Sequence, residues 1–217
     1  SAEQIRDQAL AVAGLLSEKM YGPSVMPPQP PGIWNNPYNN QEWTTSEGED
    51  RYRRAVYTFW KRTAPYPSMA TFDAPSREVT VSRRIRTNTP LQALVTLNDP
   101  VYVEAARGLA QRMVRETDAS PPAALAHGYA VATMQEPGPE VMNELLAVYR
   151  EGVRHFQAHP SKADSLLSTG ALSRMRFARG GADRPGRDES ETSASVRTAS
   201  TSPGGDAGRS VRRSPPP

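Results

Sequence analysis

Apolar residues recur along this chain at two periods, and the helical one dominates. Ser1 and Gln4 stand at capping-box spacing, and Ile5, Ala9, Val12 and Leu16 follow on one helical face, so the chain is predicted to open on an amphipathic helix. Pro90 occupies a first helical position behind Asn88 or Thr89, with Leu91, Leu94, Val95 and Asn98 sharing the inward face of the helix it starts. Pro100 forces Asp99 out of the helical region and opens the next helix, whose apolar stripe is Val103, Ala106, Leu109, Ala110, Met113 and Val114. Two further segments, 121–133 and 140–158, flank the breaker Pro137-Gly138-Pro139. They carry Leu125, Tyr129 and Ala132, then Met142, Leu145, Leu146, Tyr149, Val153 and Phe156, and read as an antiparallel pair. Alternation at period two is confined to 55–60 and 78–82, two short strand candidates. The fold class is mainly α: a helical domain with one short β-ribbon.

Between these elements the chain is irregular. Residues 23–38 hold too many prolines for a helix or a central strand, and should lie extended with Trp34 and Tyr38 pinning them to the body. The last 45 residues, 173–217, have nine arginines, no lysine and, alanine aside, only Met175, Phe177, Val196 and Val211 as hydrophobes. They cannot bury enough apolar surface to offset roughly 1–2 kcal/mol of ordering entropy per residue. The domain is therefore predicted to end at residue 172 and the tail to be disordered. Its bias toward Arg, Gly, Ala and Pro is also what an out-of-frame reading of GC-rich DNA yields, so it is expected to be a frameshift product that replaces a final apolar helix.

This division changes the meaning of the charge. The whole chain carries a formal net charge of +3, but the tail contributes nine arginines against five acids and leaves the preceding 172 residues close to neutral. The basic pI therefore argues for no nucleic-acid or membrane partner of the folded part. Residues 51–86 concentrate basic and aromatic side chains, as single-strand binders do. Acidic flanks at Glu42, Glu47, Glu49 and Asp50 make internal pairing the better explanation. No apolar run reaches the roughly 20 residues of a membrane span, and no signal peptide opens the chain. It has no cysteine, which removes disulfides and thiolate metal sites. A chain that opens on a helix cap without a methionine is expected either to be cut from a longer one or to have a processed terminus.

The strings GPSV (22–25), RYRRAVYTFWKRTAP (51–65), TFDAPSRE (71–78) and RTNTPLQALVTLNDPVYVEAAR (86–107) resemble the planctomycete-type domain of unknown function 1553. The resemblance implies the C-terminal part of a large exported bacterial protein, with an extracytoplasmic (periplasmic or exported) setting and the remainder of that protein as partner. It also implies a c-type cytochrome domain elsewhere in the parent, which is where haem would sit. Relatives often have a cysteine near Thr80 to Ser82; this chain has none. No activity comes with the resemblance.

Candidate chemistry concentrates in Asp73, Arg77, Glu78, Arg84, Arg86, Asn88, Gln92, Asn98 and Asp99. Carboxylates, forked guanidinium donors and amides in such density suit a glycan or other anionic ligand. They equally suit a polar network that satisfies helix ends around the Asn98-Asp99-Pro100 corner. Two functional classes follow: an accessory binding and assembly module, or an enzyme acting on carbohydrate or a sulfated polymer with Asp73, Glu78 and Asp99 as acids. His155 and His159 stand four apart on a helix beside Glu151, but His127 is remote and no zincin pattern surrounds them. No metal and no cofactor is assigned to this chain. Because the tail contributes so little apolar burial, deleting residues 173–217 should leave the thermal midpoint of the remainder nearly unchanged. A drop of more than a few degrees in a melting experiment would show that the tail packs.

Overall fold

Proline sets where most helices begin. The computed structural model describes residues 1–34, 42–118 and 120–172, all within the unit Ser1–Arg176. Among the described residues the chain runs through α1 (Ala2–Val12), α2 (Pro67–Thr71), α3 (Pro90–Asn98), α4 (Pro100–Arg115), α5 (Pro121–Thr133), α6 (Pro139–Ala158) and α7 (Pro160–Leu167). Every helix after α1 has a proline at its first position. The fixed φ suits the helix there, and the missing N–H would have had no intrahelical acceptor. The molecule is mainly α, as the periodicity requires, with α2 and α7 added to the elements read from the sequence. The tail and Tyr38 lie outside the described residues.

α4 is the element against which the others stack: α1, α3 and α5 pack on it, α6 packs on α5, and α7 on α6. Gly108 makes the α1 crossing close, because a Cβ there would stand 3.0 Å from both Cβ and the carbonyl oxygen of Ala13. The buried cluster Ala2, Ala55, Tyr66 and Met69 is flanked by Trp43, Trp60 and Phe72. The described part of the proline-rich lead-in, residues 23–34, lies over an aromatic bed in which Trp34 meets Trp43 at 5.3 Å and Trp43 stacks on Tyr66 at 5.8 Å. Its carbonyls find donors there: Trp43 Nε1 donates to Pro27 O at 2.9 Å and Tyr66 Oη to Pro28 O at 2.6 Å.

The expected ribbon does not form. Residues 55–57 make a 3-10 turn, residues 78–82 contain no strand, and Val79 and Val81 are exposed. The extended chain around Thr58 pairs instead with the lead-in, where Val25 N donates to Tyr57 O at 2.8 Å and Phe59 N to Val25 O at 2.7 Å. The prolines that follow Val25 supply no N–H to prolong that pairing, so it stays an isolated parallel bridge.

Three helical faces differ from their apolar period. On α3, Leu91, Leu94 and Leu97 are more than half exposed and no residue of the helix is buried. On α4 the buried side is Val101, Tyr102, Glu104, Ala105, Arg107 and Gly108, while Ala106 and Ala110 face water. On α1 the buried line is Ala2, Arg6 and Leu10. In α1 and α4 a charged residue takes an interior position because its partners are there: Arg6 donates from Nη1 to Arg53 O at 2.7 Å and from Nη2 to Arg51 O at 3.1 Å. A period count treats arginine as outward-facing and misplaces the stripe. Leu94→Ala, which the apolar period would price at roughly 2–5 kcal/mol as a core truncation, should instead change stability by about 0.5 kcal/mol or less. Leu10→Ala, at a fully buried position, should cost roughly 2–5 kcal/mol. Urea unfolding of the two variants checks the order, and a larger loss at Leu94 would overturn the assigned faces.

Candidate functional site

Three segments that diverge in sequence converge beside the start of α1. The loop after α2 brings Phe72 and Asp73, the stretch before α3 brings Arg83 to Thr87, and α3 brings Gln92, all facing Ser1, Gln4 and Ile5 across a cleft of about 860 Å³. Asp73 makes the corner. Its backbone is left-handed (φ 62°), a conformation that a short carboxylate side chain tolerates. That places both oxygens on Thr87: Oδ2 accepts from the backbone N–H at 2.7 Å and Oδ1 from the hydroxyl at 2.9 Å. Gln92 completes the brace, donating from Nε2 to Thr71 O at 3.1 Å and to Thr87 Oγ1 at 3.2 Å.

Arg84 crosses the cleft mouth to Glu3 of α1 at 2.6 Å. Arg83 and Arg86, exposed on the same wall, have no hydrogen-bond or ion-pair partner among the described residues. The cleft thus offers two guanidinium forks beside amide and hydroxyl groups and the apolar surfaces of Ile5, Phe72 and Ile85. Three other arginines of the basic segment are satisfied internally: Arg51 on Glu104, Arg54 on Asp7 and Arg53 on the carbonyls of Pro23 and Tyr21.

Of the nine residues singled out by the sequence, Asp73, Arg84, Arg86 and Gln92 meet in this cleft. Asp99 is buried at the α4 N-terminus, accepting from Val101 N at 2.9 Å, and burial raises its carboxyl above the ordinary range. Asn98 turns back on its own helix to donate to Leu94 O at 2.8 Å. Arg77 lies over the Trp60 ring, and Glu78 and Asn88 are exposed. Only Asp73 of the three candidate acids lines the cleft, and both its oxygens are occupied, so no pair of carboxylates faces a common substrate there. Arg83, Thr87 and the α1 residues were missed. The first two adjoin the chosen positions in sequence, whereas nothing in the motif points to α1.

The histidines occupy other surroundings. His127 contacts Glu116 at 2.8 Å, and the rings of His155 and His159 stack at 4.6 Å. Arg112 first, then His127, hold the Glu116 carboxyl down to about 2. No group of three metal-ligating side chains comes together among the described residues.

The Arg84 hydrogen bond holds the Glu3 carboxyl below its ordinary 4.5, against the opposing effect of partial burial. Its stabilising contribution is therefore complete above about pH 4.5 and is lost as pH falls through the lower folded value. Wild type should melt above Glu3→Gln at neutral pH, and the gap should close on acidification below about pH 4.5. A gap independent of pH would show that the ion pair is not its source.

No curated protein and no solved structure matches this chain. No described helix is long and apolar enough to cross a membrane. One family does match, and its match spans residues 1–149, which include the cleft, α3, α4 and most of α6. This chain belongs to the family described as PSD1, protein of unknown function (DUF1553).

Proposed function

We propose that this chain is a noncatalytic, accessory binding and assembly module of an exported bacterial multidomain protein, and that its cleft holds a ligand through an oxyanion. The observation that carries the binding half is the pair Arg83 and Arg86, two guanidinium groups without a partner among the described residues, on one wall of a cleft otherwise braced by internal hydrogen bonds. A planar fork matches the two oxygens of a carboxylate, sulfate or phosphate. The amides, hydroxyls and apolar patches around it suit a sugar acid or sulfated sugar as the body of the ligand.

The assembly half rests on α3. Leu91, Leu94 and Leu97, joined by Ile85 at 76 % exposure, put large aliphatic side chains into water along one short stretch. Such surface marks contact with another protein surface, here the remainder of the parent protein. A c-type haem needs thiols for its attachment and this chain has none, so a cytochrome partner would carry the haem on its own domain.

The test is calorimetric titration of the whole chain with sodium sulfate, inorganic phosphate and a sulfated disaccharide, repeated on Arg83→Gln/Arg86→Gln. The tail arginines are the same in both proteins and cancel. Each charge-assisted hydrogen bond contributes about 1.5–3 kcal/mol, so the double variant should bind at least about tenfold more weakly. Equal affinities, or no saturable binding by wild type, would reject the cleft as an oxyanion site.

A further inference from the structure

Away from the cleft, four side chains from two parts of the chain form a polar socket inside the protein. Glu104 of α4 is 2 % exposed and Arg107, one turn later, is 8 % exposed. Arg51 donates from Nε to Glu104 Oε2 at 3.3 Å, and Tyr52 donates its hydroxyl to Oε1 at 2.9 Å. A buried carboxylate needs several such donors, because an uncompensated charge away from water is costly. Burial first, and the neighbouring carboxylate second, push the Tyr52 hydroxyl up to about 12, so it stays a donor at neutral pH.

The remaining capacity of the socket is taken up by the backbone that follows α7. Glu104 Oε1 accepts from the backbone N–H groups of Ala171 at 2.5 Å and Leu172 at 3.1 Å. Arg107 donates from Nη1 to Thr169 O and from Nη2 to Leu172 O at 3.1 Å. No side chain of residues 169–172 takes part in these bonds. The one sequence requirement is Gly170: its φ is +83°, and a Cβ there would overlap the Glu104 carboxylate. The residues that build the socket lie within the family match, which ends at 149, while the segment that fills it lies beyond.

We propose that Arg51, Tyr52, Glu104 and Arg107 form a peptide-backbone receptor, and that residues 169–172 are its resident, exchangeable occupant. The partner it fits is a short polypeptide segment with a glycine in left-handed conformation, presenting two successive N–H groups to Glu104 and two flanking carbonyls to Arg107. Since the bonds go to main chain, a segment of other sequence with that glycine satisfies the socket equally. In this chain the occupant is tethered behind α7, so it competes with any added segment intramolecularly.

The experiment uses the full chain carrying Gly170→Val, which expels the resident segment, and a fluorescent peptide with the sequence of residues 166–172. Anisotropy should show saturable binding to Gly170→Val, at least tenfold weaker binding to wild type, and none to Gly170→Val/Glu104→Gln. A peptide with valine in place of its glycine should not bind. Failure of the glycine peptide to bind Gly170→Val that retains its helical circular dichroism overturns the proposal. Should that variant not fold, hydrogen exchange on wild type decides instead. Ala171 and Leu172 amides that exchange through an opening far cheaper than global unfolding support an exchangeable occupant, and exchange only by global unfolding refutes it.

Discussion

Guanidinium groups bonded to backbone carbonyls hold this fold together where a sheet would do so in another protein. Residues 13–34 and 42–66 have little regular structure, and carbonyls taken out of water there need donors. Arginine supplies five N–H donors on a long stem, and here it supplies them inward. Arg6 takes the carbonyls of Arg51 and Arg53, Arg53 those of Tyr21 and Pro23, Arg112 that of Val12 at 2.5 Å, and Arg107 those of Thr169 and Leu172. Removing Arg6, Arg53 or Arg107 would strand two carbonyls at once. Arg6 and Arg53, each 1 % exposed, are the positions where that cost is greatest.

The same rule separates charge engaged in the interior from charge left available at the cleft. Inside, each buried arginine is turned toward main chain, and the single buried glutamate of α4 is closed by Arg51, Tyr52 and two amides. Outside, Arg84 is tied to Glu3, while Arg83 and Arg86 beside it remain unengaged among the described residues. Between residues 51 and 86, Arg51, Arg53 and Arg54 are thus structural donors, whereas Arg83 and Arg86 face the cleft. Asp73 and Gln92 hold Thr87 from two sides, which fixes the backbone beside Arg86 in the cleft wall.

The exposed leucines of α3 and the partly exposed stripe of α6 share a cause. α3 packs on α2 and α4 through its other side, and α6 meets α5 but runs 20 residues against the 13 of its neighbour. Tyr149 and Val153 of the longer helix stay partly in water. Apolar period alone says that a face is fit to be covered; it does not say by what.

The sequence by itself determined the mainly helical class, the proline-initiated starts of α3, α4 and α5, and the departure of Asp99 from helical geometry, because these rest on local dihedral limits. It also determined the family, through long motifs, and four of the residues that line the cleft. Only the tertiary structure decided which face of each helix is buried, since Arg6, Glu104 and Arg107 are interior through partners up to 68 residues away that no periodicity registers. It decided against the ribbon, because Thr58 found Val25 in a proline-bound segment rather than a second strand, and it brought α1 to the cleft and residues 169–172 to Glu104. Each of these depends on long-range burial of polar groups, whose cost is set by the partners that the fold delivers.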